Sequence, residues 1–316
     1  MKSESLRDAY GKELVKLGSK DADIVVLDAD LSSSTKTGYF ANAFPDRFFN
    51  MGISEQSMVT TAAGLALSGK KPFVSTFAIF LTRTYEQIRQ SVCYNNAPVR
   101  FVVTHGGITV GEDGATHQIV EDVGIMSGLP NMNVIVPSDS IETRSVIDYL
   151  ANVDKPHYVR LSREKFPVIN DEDYEFRIGK SITMKDGTDL TIIADGVMVS
   201  KSMEAAEQLK KQGISARVIN MPSIKPIDRD AIIRSARETG HIVTAEEHSV
   251  YNGLGSRVAE VVSESYPVPV RRIGMRDTFG KSGKAWELFS YFHMDVKDII
   301  NEAMTCLEEK NYENIP

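Results

Sequence analysis

FFNMGISEQSMVTTAAGLALSGKKP, residues 48–72, reads as a helix delivered by a glycine-containing loop and followed by a strand. Ser54 is a residue type that opens helices and Gly69 one that closes them, so a helix is expected from Ser54 to about Ser68. Glu55 falls in its first turn, where free N–H groups and the helix dipole favour a carboxylate. Ala62, Ala63, Gly64 and Ala66 are small enough to let another backbone come close. A short apolar strand is expected next, at Phe73–Phe77. Helix followed by buried strand is the unit of parallel α/β sheets.

The same alternation extends in both directions. Upstream lie a helix at about 4–18 and a strand at Ile24–Leu27. Downstream come a helix near 82–94, a strand at Val99–Thr104, a long loop and a strand at Val134–Val136. A helix at 140–151, opened by Asp139 or Ser140, and a strand at 158–161 complete this half. From Pro167 to Gly187 the periodicity fails, and Asp171, Glu172, Asp173 and Glu175 mark a linker. Alternation resumes with strands at Leu190–Ala194, Ala216–Asn220, Ile242–Ala245 and Val268–Arg272, separated by helices at 198–212, 228–238 and 254–265. The expected fold is therefore α/β, with parallel-sheet domains at 1–166 and 188–316 joined by a linker at 167–187.

At 316 residues the chain suits two cores better than one. A net charge of −7 argues against a nucleic-acid or membrane-surface partner, which would need a basic face. It leaves room for an anionic small substrate, because a few arginines in one cleft suffice to hold a phosphate. Cys93 and Cys306, far apart and without a C-x-x-C neighbour, fit neither a disulfide scaffold nor a structural zinc site. The polar N-terminus lacks a signal-peptide core, and no apolar run approaches the roughly 18 residues that span a bilayer. A cytoplasmic location is expected.

Three segments carry chemistry. A first-turn glutamate is ordinarily a surface acid complementing the dipole, but Glu55 lies between a glycine loop and an apolar helix, with aromatics following at Phe77 and Phe80. In STFAIFLTRTYEQIRQ, 75–90, Phe77, Phe80 and Arg83 share roughly one helical face. Such aromatics are ordinarily core; a flat heteroaromatic ligand stacked on them is the sharper alternative. The third segment, VVTHGGITVGEDGATHQIVEDVG at 102–124, leaves a strand end through Gly106, Gly107, Gly111 and Gly114, and carries His105, Glu112, Asp113 and His117. Strand C-terminal ends are where open α/β sheets hold ligands. Asp113 and His117 are four apart, but Gly114 interrupts any helix between them and no third metal ligand follows. Gly253-Leu-Gly255 and the FGKSGK run at 279–284 lack the full dinucleotide and P-loop spacings and read as turn and helix-start chemistry.

Together GISEQ, STFAIFLTRTYEQIR, THGGITVGEDGATHQ, PSD and RLSR resemble, in order and spacing, the transketolase family's pyrimidine-binding domain. TAEEHSVYNGLGS and FGKSG resemble its C-terminal domain, so the resemblance spans nearly all of the chain. A full transketolase also carries an upstream domain whose Gly-Asp-Gly stretch and later Asn hold magnesium and the cofactor diphosphate. No GDG occurs here, which implies a split gene. The resemblance thus implies thiamine diphosphate as cofactor, Mg2+ with ligands on a separate GDG-containing N-terminal subunit, and an α2β2 assembly with the cofactor between chains.

It also implies residue roles. Glu55 would hydrogen-bond the aminopyrimidine ring nitrogen, sharing a proton there because it is shielded from water. Phe77 and Phe80 would stack on or flank the pyrimidine, and Asp30 and Arg83 would lie near the cofactor. Asp113 and His117 would face the hydroxyls of the donor sugar. Arg7, Ser34, His105 and Arg163 match positions that hold its distal phosphate, a task suited to arginine forks. Glu55, His105 and His117 are thereby the expected catalytic residues, with no metal ligand among them. The implied reaction moves a two-carbon ketol unit from a ketose phosphate to an aldose phosphate. The beta subunit of a 2-oxoacid dehydrogenase shares the layout, but its chemistry needs no phosphate cage and the GEDGATHQ loop fits it less well. Deoxyxylulose-phosphate synthase is ordinarily one longer chain. A non-catalytic assembly subunit would have no use for Glu55, His105, Asp113 and His117.

Overall fold

A computed structural model describes residues 2–309, so residues 310–316 of the expected second domain lie outside the described residues. In chain order the strands are β1 (Ser3–Ser5), β2 (Ile24–Asp28), β3 (Phe48–Asn50), β4 (Lys71–Ser75), β5 (Arg100–Val103), β6 (Asn133–Ile135) and β7 (His157–Arg160). They continue with β8 (Lys165–Pro167), β9 (Ile182–Lys185), β10 (Leu190–Ala194), β11 (Ala216–Asn220), β12 (Ser223–Lys225), β13 (Ile242–Ser249) and β14 (Val270–Met275).

Two sheets organise the chain, and both are parallel except at one edge. The first runs β12-β6-β7-β5-β4-β2-β3, with only β12 antiparallel. The second runs β14-β13-β10-β11-β9, with only β9 antiparallel. β2 (IVVLD) and β10 (LTIIA) are buried at every position, because parallel strands covered by helices on both faces have no solvent side. One apolar core is shared by both halves: Val74, Phe101 and Met126 belong to the same cluster as Ile193, Ile219 and Val258. No helix among the described residues is long and apolar enough to cross a membrane.

The structure departs from expectation in several places. The helix expected near 82–94 is broken into a turn at Ala78–Leu81, a 3-10 turn at Thr82–Thr84, a turn at Tyr85–Gln87 and a π-helical stretch at Ile88–Cys93. Thr82 and Thr84 drive the break, because their hydroxyls donate to the Ile79 and Leu81 carbonyls at 2.6 and 2.7 Å. β4 ends at Ser75, two residues short of the expected Phe77, which makes only an isolated bridge to Thr104. β14 reaches Met275 rather than ending at Arg272.

Part of the stretch expected as linker, 167–187, is β9, which adds an edge to the second sheet; four residues facing a single neighbour give almost no periodic signal. Helices at Ala285–Tyr291 and Val296–Glu308 close the described chain and were not expected. Ala62, Ala63 and Ala66 point inward against the first sheet and only Gly64 is exposed, so the small residues let the helix approach its own sheet. Ser54 occupies the N-cap position without a capping side-chain bond, whereas the Asp139 carboxylate accepts from the Glu142 amide at 2.8 Å.

Candidate active site

The C-terminal ends of β2, β3, β4, β5 and β7 lie along one edge of the first sheet, and the residues that follow them, with Arg7 of the first helix, build the site. After β2 the chain folds around the buried Asp28 carboxylate, which accepts from the Leu31 amide at 2.6 Å and from the Thr35 and Thr37 hydroxyls at 2.7 and 2.9 Å. This brace shapes the loop that carries Asp30 and Ser34. Asp30 is exposed, has a φ of 65°, and receives the Asn50 amide at 3.0 Å. Asn50 in turn shapes the loop into the Glu55 helix, its side-chain oxygen accepting from Gly52 N at 3.0 Å.

Glu55 is the first residue of the helix Glu55–Leu67 and is 3% exposed. Its polar partner is Arg83, whose Nη1 lies 3.3 Å from Oε2 while the rest of that side chain is more than half exposed. The Arg83 guanidinium also lies 6.0 Å from the Phe80 ring centroid, so it bridges the carboxylate and the aromatic wall.

That wall is continuous. Phe77 stacks on Phe80 at 5.5 Å and 10°, and on His105 at 3.7 Å and 23°. Phe80 meets His117 edge-on at 5.6 Å. The Phe77 segment is tied to the His105 segment by Ala78 N donating to Thr104 O at 2.8 Å and Thr104 N to Thr76 O at 3.1 Å. His105 has a φ of 61°, is buried, and shares a hydrogen bond of 2.8 Å with the Thr104 hydroxyl through Nδ1. Burial first, and then the charges of Arg7 and Arg163 and the neighbouring His117, push its pKa down to about 3. At neutral pH it is an uncharged imidazole that offers a hydrogen bond and no positive charge.

Arg7 and Arg163 form the third group. Arg7 donates Nε and Nη2 to the Arg163 carbonyl at 3.1 and 2.8 Å, and Nη1 to the Ser34 carbonyl at 2.8 Å. It therefore joins the Ser34 loop to the segment after β7. Arg163 donates Nη1 to the Val110 carbonyl, and the same atom lies 3.7 Å from Asp113 and 3.9 Å from Glu112. Asp113 thus leans on Arg163, while His117 lies against Phe80 with its Nδ1 3.0 Å from the Thr116 hydroxyl.

The sequence-expected residues accordingly fall into three sets. Glu55 sits with Arg83; Phe77, Phe80, His105 and His117 form the wall; Arg7, Ser34, Arg163 and Asp113 form the charged side. Asp30 stands apart with Asn50. A buried carboxylate beside an aromatic wall fits a flat aminopyrimidine, which offers a ring nitrogen and a π-face. Among the described residues no group of three His, Cys, Asp or Glu is placed to hold a metal ion.

Sequence reasoning missed the groups that hold the glycine-rich loop in place. Gln118 donates its amide to the carbonyls of Ile108, Gly111 and Lys281 at 3.1, 3.1 and 2.9 Å. Arg160, at the end of β7 and 3% exposed, places Nε 3.1 Å from Asp122 and donates Nη2 to the Glu247 carbonyl at 2.8 Å. Burial opposes its charge, but the carboxylates of Asp122 and Glu247 outweigh that and raise its pKa. Glu247, in β13 of the second sheet, accepts from Thr109 N at 2.6 Å and lies 3.4 Å from the Ser162 hydroxyl. The available signal was charge inside a buried strand: Arg160 in HYVR and Glu246 and Glu247 in IVTAEEHS.

Comparison with known proteins gives the family. The model of the transketolase pyrimidine-binding domain matches residues 2–168, and that of the transketolase C-terminal domain matches residues 179–299. A Methanocaldococcus jannaschii protein described as a transketolase C-terminal section is 47% identical over 97% of this chain and 98% of its own. A 6-deoxy-6-sulfo-D-fructose transketolase subunit from a Clostridium species is 41% identical over 97% of this chain and 96% of its own. Among solved structures, a split-gene transketolase described as an inactive β4 tetramer superposes with a TM-score of 0.90 at 47% identity, covering 97% of this chain and 99% of that one. With both domain models matched along its length and full-length relatives of its own size, this chain belongs to the transketolase family, as the C-terminal subunit of a split transketolase.

Proposed function

We propose that this subunit, assembled with an N-terminal subunit that carries the GDG stretch, transfers a two-carbon ketol unit from a ketose phosphate to an aldose phosphate. The observation that carries the reading is Glu55: a carboxylate 3% exposed, beside a stacked Phe77–Phe80 wall, with an exposed arginine as its polar partner. Burying a carboxylate is costly unless it is paired and hydrogen-bonded, and the bond from Arg83 reaches Oε2, which among the described residues leaves Oε1 free to take a ligand's ring nitrogen. An aminopyrimidine supplies that nitrogen.

Thiamine diphosphate, when bound, supplies the carbanion and electron sink for carbon–carbon cleavage. Glu55 holds a proton at the pyrimidine ring nitrogen, and Phe77 and Phe80 orient the ring and keep water from it. Magnesium and the diphosphate are held by the partner subunit. Arg7, Ser34 and Arg163 receive the anionic tail of the sugar, neutral His105 adds a hydrogen bond, and Asp113 and His117 meet its hydroxyls. A sulfonated tail presents similar oxygens, and the Clostridium relative is described as acting on a sulfofructose. The assembly is read as α2β2; a solved neighbour is described as an inactive β4 tetramer of a split-gene transketolase. Both cysteines are buried thiols, as suits the reducing cytoplasm.

The deciding experiment mixes the chain with its GDG-bearing partner, thiamine diphosphate and magnesium, and assays ketol transfer from phosphorylated and sulfonated ketoses. Glu55→Gln is expected to preserve folding and assembly while lowering kcat at least about a hundredfold. Near-parent turnover in that variant removes Glu55 from the reaction.

A further inference from the structure

Glu247 belongs to the second sheet, yet its carboxylate is spent on the first. Oε1 accepts from the Thr109 amide at 2.6 Å, and Oε2 lies 3.4 Å from the Ser162 hydroxyl. Thr109 sits in the loop that starts at His105 and ends at Asp113; Ser162 directly precedes Arg163. The two segments that carry the charged side of the site are thus bridged by one side chain from the other half of the molecule. The fit is close: Gly107 has a φ of 83°, and a Cβ there would collide with the Glu247 carboxyl and with Arg160. The loop has other ties: Gly106 N to Leu161 O at 3.3 Å, Gly107 N to Ile119 O at 2.8 Å, the Gln118 amide to the Ile108 and Gly111 carbonyls at 3.1 Å each, and Arg163 Nη1 to the Val110 carbonyl, but none of these engages Thr109 itself. Between Gly107 and the Gln118 amide, Glu247 is the side chain that reaches the loop backbone from the second sheet.

We propose that Glu247 is a positioning residue that sets the affinity for the sugar-phosphate donor by clamping the 106–114 loop to the Ser162–Arg163 segment. The second half of the chain thereby acts on substrate binding without touching substrate. What the clamp needs is reach. Glu247→Gln keeps a carbonyl oxygen for the Thr109 amide, whereas Glu247→Asp keeps the charge facing Arg160 and draws the oxygens back by one methylene.

The kinetic arm rests on the ketol-transfer reading; the exchange arm does not. By hydrogen exchange on the full chain, Glu247→Asp is expected to speed exchange of the 106–114 amides about tenfold, the loss of one charged hydrogen bond, with the Glu55–Leu67 helix unchanged. Glu247→Gln is expected to stay near the parent rate. In the assembled complex Glu247→Asp should raise the KM for the ketose phosphate about tenfold, leave half-saturation by thiamine diphosphate where it was, and be rescued in large part by Gln. Unchanged loop exchange in Glu247→Asp overturns the clamp, as does a harmful Gln beside a harmless Asp, because charge rather than reach would then matter. A loosened loop with an unmoved KM overturns the link to substrate. If Glu247→Asp does not fold, Glu247→Gln decides alone: fast loop exchange overturns the proposal and parent-like exchange supports it. A parent complex without ketol transfer refutes the functional reading and leaves the exchange result to judge the clamp.

Discussion

The imidazole of His105 lies face to face with the ring of Phe77, 3.7 Å between centroids and 23° between planes. The stack places a titratable group where water cannot solvate its charge, and the nearby Arg7 and Arg163 oppose that charge further. Its pKa falls from the ordinary 6.5 to about 3, so between those values the unfolded chain binds a proton that the folded chain refuses. Stability must therefore decline as pH drops through this window. His105→Gln is expected to flatten the decline between pH 6.5 and 4, measured by denaturant unfolding. His157, held down to about 4, and His248, also lowered, both by burial, contribute a background common to parent and variant. Equal slopes for the two chains would show that His105 takes its proton normally.

Substituting Arg83 tests its expected place beside the cofactor apart from any effect on stability. Its side chain is 55% exposed, so its pair with Glu55 contributes at most about 1 kcal/mol to folding. Arg83→Met should leave the unfolding midpoint nearly unchanged and weaken thiamine diphosphate binding to the assembled complex about threefold to tenfold, roughly 1 kcal/mol of binding energy. A cofactor titration that does not move assigns Arg83 to the solvent.

Gly107 and Gly52 both adopt positive φ, 83° and 65°, but only Gly107 is crowded; nothing lies within 4 Å of a Cβ at Gly52. Gly52→Ala should cost about 1 kcal/mol, from backbone strain alone. Gly107→Ala adds a collision with the Glu247 carboxyl and should cost about 3 kcal/mol or more. Thermal unfolding of the pair tests this, and equal losses would mean that Glu247 gives way.

Arg160 is the cation that Asp122 and Glu247 share in the buried joint. Arg160→Leu leaves carboxylates without compensation and is expected to cost about 3–5 kcal/mol at pH 8. The sign of the pH effect follows from linkage. Burial already raises the pKa of Glu247, and losing the cation raises it further, so the folded variant binds more protons than the unfolded one and regains stability as pH falls. Chemical denaturation at pH 8 and pH 5.5 should show a smaller penalty at the lower pH; a constant penalty would trace the loss to packing.

How much of this was open to reading depended on where each residue's environment comes from. β2 and β10 announce themselves, because a strand buried on both faces must be apolar throughout. The glycine-rich loop after β5 was visible because glycine at four positions in one loop has a backbone cause. The wall of Phe77, Phe80, His105 and His117 could be suspected residue by residue, but its stacking arises from the bridge between the β4 and β5 ends, which lie about thirty residues apart in sequence. Glu247 and Arg160 were opaque for a deeper reason. A charged residue earns burial only from partners contributed by another part of the chain, and no local pattern records them. β9 and β12 escaped because strands of four and three residues at a sheet edge carry too few alternations to register.

β12 also bears on how the molecule could be cut. Its three residues come from the second half of the chain, yet they hydrogen-bond to β6 of the first sheet. A fragment ending near residue 166 would lose this cover and present β6 as a bare edge, open to pairing with the same edge of another fragment. Anyone seeking a minimal pyrimidine-binding piece should expect it to precipitate or self-associate, unless the strand is carried along or the exposed rim is given a charge.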